Sequence, residues 1–441
     1  MIVYIANEIS VRELSSNLLL AVIAASKGHQ TMIGSFNDIL LCKRINILPL
    51  GPLIVKNMNI PPISKCSYDK FLNTGFELYC HEQEPAILYS DFDLYIKRLN
   101  ITPNQFMPFK GVFCWGERDH GGYTKLFNNK KHIFHITGAP RIDLWRPELK
   151  SFWLKSDLNN LKPYILYVSN NGYAVGKNHW TENLNILNSL ELMNDKEAEL
   201  NIYKTIQKDI VMVQNAVFTL RDLASKYKNI NFVIRPHPAD NESYWKAAIG
   251  KHENIHVIYQ GSLTPWIAGA KAVIHNSCSS ALEAAIQGVP VISYVPTELC
   301  DVLDIPNKLG TRVSNHHEIK AAVEHALTQS DARQMTSDSH TLLEPLLAID
   351  KELASQKIIA LIEQSTEINK ANKISQVNFI KISMALKTKA AIDKVRGLYL
   401  HDAANLFDRR EVIDQIRKVS EILGLPAPKV RFVSNTTILI G

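Results

Sequence analysis

The stretch Asn229-Ile230-Asn231-Phe232-Val233-Ile234-Arg235-Pro236-His237-Pro238-Ala239-Asp240 decides the fold. Its first half is an apolar, β-branched run, which predicts a strand buried in a parallel sheet. Two prolines around a histidine stop that strand and hold the histidine on a rigid turn. Working outward, Ile255-His256-Val257-Ile258-Tyr259 reads as a second strand, and Thr264-Pro265-Trp266 opens a short helix. Ala272-Val273-Ile274-His275 is a third strand and ends in Asn276-Ser277-Cys278-Ser279-Ser280. A helix over Ala281–Gln287 follows, Gly288 closes it, and Val289–Tyr294 is a fourth strand.

This order, strand, loop, helix, strand, repeats. In open parallel sheets ligands bind beyond the carboxyl ends of the strands, where the polar loops 235–240 and 276–280 both fall. Arg235 and His237 supply charge and donors, Ser279 and Ser280 supply hydroxyl and amide donors, and Glu283 can accept from a ribose. A lone histidine beside proline more often serves structure, and serines at a helix start more often serve as caps. Two such loops at successive strand ends favour a phosphate-bearing ligand, a nucleotide above all.

The order Arg235-Pro236-His237-Pro238, then Pro265-Trp266, then Ser279-Ser280-Ala281-Leu282-Glu283-Ala284 resembles bacterial surface-carbohydrate biosynthesis proteins. These are GT-B glycosyltransferases related to the Kdo transferases, the bacterial sialyltransferases and the CDP-glycerol glycerophosphotransferases. The resemblance covers about residues 1–300. It implies that the His-Pro pair and the serine pair contact the donor's phosphate and ribose. It also implies a CMP-activated donor such as CMP-Kdo.

The N-terminal half opens with Ile2-Val3-Tyr4-Ile5 as a strand, a helix over 12–26 ended by Gly28, and a strand at Gln30–Gly34. No Gly-x-Gly-x-x-Gly is present, so a dinucleotide role has no support. Arg12 and Glu13 match an Arg-Glu-Leu element of the same family and read either as a surface pair or as residues at the cleft. Glu82 and Glu84 stand where the family carries an acidic cluster, though His81 and Pro85 depart from its pattern. Glu117 follows a strand and a glycine, in the family's Trp-Gly-Glu element. A carboxylate on such a loop can deprotonate a sugar hydroxyl, and Glu117 leads Glu82 and Glu84 as the expected base. Gly138-Ala139-Pro140-Arg141-Ile142-Asp143 resembles a family turn, with Arg141 and Asp143 expected to tie the domain end to the linker. Tyr164–Val168 begins the second sheet, and its loop offers Asn170, Asn171 and the Gly172 amide to phosphate or sugar hydroxyls. No carboxylate lies between Ser169 and Trp180, which weakens a double-displacement mechanism of the Kdo type.

The chain has 441 residues, a net charge of +6 and 46% hydrophobic residues. That length predicts two or three domains. The mild basic excess suits a nucleotide sugar or a membrane surface and argues for no nucleic acid. Six scattered cysteines make no Cys-x-x-Cys pair, and no metal is expected. Neither a secretory leader nor a spanning segment is expected. From Glu367 to Arg396 seven basic and two acidic residues interleave with Ile380, Ile382, Met384 and Leu386. This reads as a helix packed on the domain with a solvated basic face, in preference to a segment lying on anionic lipid.

The expected architecture is α/β of the GT-B type: two Rossmann-like domains facing a central cleft, plus a C-terminal helical extension. Residues 1–155 form the acceptor domain, 160–335 the nucleotide-sugar donor domain and 336–441 the extension. The expected function is sugar transfer from a nucleotide-sugar donor to a growing surface polysaccharide, lipopolysaccharide or capsule, without a cofactor. A CDP-polyol phosphotransferase and a non-catalytic assembly scaffold are the rivals. Expected partners are the nucleotide sugar and a glycan or lipid-linked glycan acceptor. The expected place is cytoplasmic, with peripheral association at the inner face of the cytoplasmic membrane.

Overall fold

The computed structural model describes all of the chain except residues 57–74, 83–85, 99–100, 102–108, 154–155, 178–179, 190–195, 298–303, 330–333, 350, 370 and 396–405. Glu84 therefore lies outside the described residues. The chain divides into two compact units: Met1–Ile87, Asp91–Leu144 and Leu343–Gly441 form the first, and Leu88–Ser90 and Trp145–Leu342 the second.

In chain order the first unit contributes β1 (Ile2–Ala6), β2 (Gln30–Gly34), β3 (Pro52–Val55), β4 (Glu77–His81), β5 (Phe109–Cys114) and β6 (Phe134–Ile136). The second contributes β7 (Tyr164–Val168), β8 (Asn231–Arg235), β9 (Ile255–Val257), β10 (Ala272–His275), β11 (Val291–Tyr294) and β12 (Thr311–Val313). The chain then returns to the first unit for β13 (Val430–Phe432) and β14 (Thr437–Ile440).

The first sheet runs β13-β14-β2-β1-β3-β4-β5-β6, with β1 to β6 parallel. β1 is buried along its whole length, as a strand covered on both faces must be. The helix Ser10–Ser26 follows it, packs against β2 and buries Leu14, Leu18, Ala21 and Val22. After β2 the chain crosses to the far side of β1 to lay down β3, so the strand order reverses between β1 and β3.

The segment expected as a helical extension is helical over Ser337–Leu343, Ala354–Ser365, Gln376–Val395 and Arg409–Leu423, but it ends in sheet. β14 pairs antiparallel with β2, matching Ile438 to Ile33 and Leu439 to Met32. Thr437-Ile438-Leu439-Ile440 is an apolar, largely β-branched run, and pairing with β2 on one side and β13 on the other satisfies its backbone while every side chain is buried. Asp38 holds this join: it accepts from Thr436 Oγ1 at 2.7 Å and Thr437 Oγ1 at 3.0 Å, and Lys389 lies 3.3 Å away.

Asp143 accepts from the amides of Ala354 (3.0 Å) and Ser355 (3.1 Å) and from Ser355 Oγ (3.2 Å), supplying acceptors to the first turn of the helix Ala354–Ser365. Gly116 is extended, at φ −160°. A Cβ there would stand 2.4 Å from the Leu346 carbonyl carbon, so the glycine is required by the close approach of that backbone.

The second sheet runs β12-β11-β10-β7-β8-β9 and is parallel throughout. Its strand order reverses between β7 and β10. Beneath it the 31-residue helix Lys196–Lys226 buries Met212, Val213, Ala216, Leu220 and Leu223 against β-strand residues and Trp245.

Candidate functional site

The reversal between β7 and β10 is where an open parallel sheet leaves room for a ligand, because neighbouring loops diverge there. In the second unit three loops meet at this edge. Asn170 Nδ2, after β7, donates to the Ser277 carbonyl after β10 at 3.0 Å. Ser169 Oγ donates to Asp240 Oδ2 after β8 at 2.5 Å. The Ser169 amide donates to the Arg235 carbonyl at 3.0 Å. Asn171, which is buried, donates through Nδ2 to Tyr167 Oη at 3.3 Å and precedes the half-buried Gly172 turn. Asp209, from the long helix, accepts the Tyr173 amide at 3.1 Å, and burial pushes its carboxyl up to about 6.

Asp240 is the residue this loop cluster depends on, and the sequence reading gives it no role. It is buried and accepts from Ser169 Oγ, from the His237 amide (3.1 Å) and from Trp245 Nε1 (3.1 Å). A carboxylate two residues past Pro238 at a strand end was the available signal, since an Asp side chain readily closes a turn on its own backbone. Asp240→Ala strands three buried donors, so a loss of about 2–3 kcal/mol is expected. Urea unfolding of the full chain followed at tryptophan checks it, and an unchanged midpoint contradicts the account.

His237 is exposed at the tip of the turn. Its Nδ1 accepts the Ala239 amide at 3.1 Å, which leaves the neutral ring with its proton on Nε2. Ser279 is exposed and its side chain makes no capping bond, although it occupies the N-cap position of the helix Ser280–Ile286. Ser280 Oγ is buried and has no hydrogen-bond partner among the described residues. Ser277 takes a left-handed φ of 45°, a conformation costing about 1–3 kcal/mol that persists where surrounding contacts enforce it. Those contacts are present: Asn307 Oδ1 accepts the Ser277 amide at 2.7 Å and Asn307 Nδ2 donates to Ser277 Oγ at 2.8 Å. Glu283 is buried in the first turn of the helix, 3.5 Å from Gln287 Nε2.

The Arg235 guanidinium, expected at phosphate, is held by backbone carbonyls of its own unit. Nη1 donates to the carbonyls of Ile258 (2.9 Å) and Gln260 (3.0 Å), and Nη2 to that of Gly261 (2.9 Å). The guanidinium also lies over the rings of Trp266 and Tyr259. A buried cation beside an apolar aromatic loop is satisfied by carbonyls, and here it clasps the loop after β9. Burial brings the Arg235 group down to about 10.

In the first unit the reversal between β1 and β3 also opens a small cavity. It is lined at the strand ends by Ala6, Lys56 and His81 and by Glu13 and Asn17 from the helix above. Glu13 is buried, accepts the Glu8 amide at 2.8 Å and stands 3.5 Å from Lys56 Nζ. Arg12 beside it is exposed, and its carbonyl accepts Arg141 Nη2 at 3.1 Å. Burial pushes the His81 imidazole down to about 3, so this ring is neutral.

The carboxylates of this unit fall at the ends of β4 and β5. Glu82 is buried and its carbonyl accepts Trp115 Nε1 at 2.8 Å. Glu117 is exposed and starts the helix Glu117–Leu126. Asp119, two residues on, is the one the sequence reading overlooks. Burial pushes its carboxyl up to about 7, and Arg118 Nη2 at 3.8 Å lowers it only in part. Asp119 Oδ1 has no hydrogen-bond partner among the described residues. A carboxyl that exchanges its proton near neutrality can act as acid or base.

No protein-family model matches the chain. No curated protein matches it in sequence. Solved structures do match its fold. The UDP complex of MnaA from S. aureus is similar at a TM-score of 0.52 and 11% identity, covering 84% of this chain and 98% of that one. A putative UDP-N-acetylglucosamine 2-epimerase from Listeria monocytogenes is similar at 0.51 and 14%, covering 83% and 97%. The wall teichoic acid polymerase TagF overlaps at 0.43 and 13%, covering 71% and 72%. The chain thus has a GT-B-like α/β fold built on two Rossmann-like sheets.

Proposed function

We propose that the chain is a glycosyltransferase that takes a nucleotide-sugar donor and extends a bacterial surface glycan. The observation that carries this reading is the gathering of three loops at the strand-order reversal of the second sheet. There His237 and Ser279 stand exposed on loops joined by the half-buried Asn170–Ser277 and the buried Ser169–Asp240 hydrogen bonds. His237 Nε2 and the Ser279 and Ser280 groups hold the donor phosphate, Asn170, Asn171 and Gly172 line it, and Glu283 meets the ribose. The acceptor oxygen attacks the anomeric carbon, the bond from that carbon to the phosphate oxygen breaks, and the phosphate leaves with the electron pair. The acceptor's proton passes to a carboxylate, for which Asp119, Glu117 and Glu82 are the candidates. Fixed donors at the leaving oxygen do the electrostatic work of the step. A CMP-linked sugar is the preferred donor.

A second reading, epimerisation of a UDP-sugar, draws support from the coverage of nearly the whole length of a putative UDP-N-acetylglucosamine 2-epimerase. One measurement tests both. The full chain is melted with CMP, CDP and UDP, and with their sugars. A ligand at about 100 times its dissociation constant stabilises by about 2.7 kcal/mol. A melting temperature unmoved by every nucleotide sinks both readings. If UDP-N-acetylglucosamine alone is turned into a second hexosamine, the epimerase reading replaces the transferase.

A further inference from the structure

The helix Gln376–Val395 has two apolar faces. Ile382 and Leu386 are buried on one side. On the other, Val377 (60% exposed), Ile380, Met384 (65%), Ile392 and Val395 (88%) stand in solvent. Val377, Ile380, Met384, Ala391 and Val395 are spaced by three, four, seven and four, so they share one face of a helix. The stripe runs about 27 Å at 1.5 Å per residue. A soluble surface rarely leaves a stripe this long uncovered.

Its charge indicates what covers it. Lys381 lies within the stripe, and Lys387 and Lys394 line one edge. All three are exposed and make no ion pair among the described residues. The helix has a single acidic residue, Asp393, which is already held by Lys389 at 3.1 Å. A second copy of the chain laid on this face would bring two sets of three lysines together with no free counter-charge, which opposes pairing. An anionic bilayer surface meets both features: it accepts the apolar side chains at its acyl boundary and the ammonium groups at its phosphates. None of the described helices is long and apolar enough to span the bilayer, so contact would be along the surface.

We propose that the outer face of the helix Gln376–Val395 docks the protein on a bilayer of anionic lipid, with Val377, Ile380, Met384 and Val395 entering the acyl boundary and Lys381, Lys387 and Lys394 contacting lipid phosphates. This stands on the first unit alone and is independent of the donor assignment. The helix packs on its unit through Ile382 and Leu386, and the side left outside is apolar as well as basic.

The test is co-sedimentation of the full chain with vesicles of phosphatidylcholine alone or mixed with phosphatidylglycerol. Binding is expected to the mixed vesicles and to be lost in high salt. Lys381→Gln, Lys387→Gln and Lys394→Gln together are expected to weaken it on the order of 100-fold. Ile380→Glu with Met384→Glu is expected to abolish it, while the melting temperature stays unchanged because both side chains are exposed. No binding to the mixed vesicles overturns the proposal, as does equal binding by the variants. A concentration-dependent dimer in light scattering that Met384→Glu dissociates also overturns it, by giving the face to a second copy.

Discussion

His237→Ala is expected to lower turnover by about 10²–10³ while leaving the melting temperature unchanged. The ring is exposed, so its removal costs the fold little. The Ala239 amide, donating to Nδ1 at 3.1 Å, fixes the proton of the neutral ring on Nε2. In the proposed transfer, Nε2–H donates to a phosphate oxygen whose charge grows as the sugar leaves. A donor matched to developing charge lowers the barrier more than it tightens ground-state binding. The loss therefore falls on kcat more than on KM. His237→Gln keeps an N–H donor on a side chain of similar length and is expected to recover part of the rate. The measurement uses the nucleotide sugar that raises the melting temperature most. Full activity in His237→Ala removes the imidazole from the mechanism and leaves the turn a purely structural one.

Where the sequence reading succeeds, the cause is local. Tyr164–Val168, Ala272–His275 and Gln30–Gly34 are short apolar runs bounded by polar turns, and all three are strands with those bounds. Where it fails, the cause is distant in the chain. β3 is four residues beginning at a proline, and β12 starts with the exposed Thr311 and Arg312, so neither has a pattern to read. β14 pairs with β2 across some 400 positions, and nothing local to Thr437–Ile440 names that partner. The site divides the same way. The turn carrying His237 is legible because proline fixes it. The destiny of the Arg235 guanidinium is not, because the three carbonyls it meets belong to residues 258–261 and only folding brings them near. Asp119 hides beside Glu117 because burial, which sets its chemistry, is a property of the whole unit.

Asp119→Asn is expected to move stability and activity in opposite directions. Burial raises the carboxyl from 3.8 to about 7, so between those values the folded state binds its proton more tightly than the unfolded chain. The sign follows. Stability conferred by the protonated carboxyl is full below about pH 4 and is lost as pH rises toward 7, because the fold must then carry a buried charge. About three units at 1.36 kcal/mol each make that loss on the order of 4 kcal/mol at pH 8. An asparagine carries no charge at any pH, so the variant is expected to be more stable than the parent at pH 8, by up to about 4 kcal/mol, and to match it at pH 4. Arg118 at 3.8 Å loses its counter-ion, which trims the gain. Denaturant unfolding at the two pH values reads this directly. If Asp119 is also the base that takes the acceptor's proton, turnover falls by about 10²–10⁴ in the same variant. A protein that gains stability as it loses its rate has kept a strained carboxyl for its chemistry. The control is Glu117→Gln, which removes an exposed carboxylate and changes stability little. A stabilised Asp119→Asn with normal turnover, beside an inactive Glu117→Gln, returns the proton transfer to Glu117.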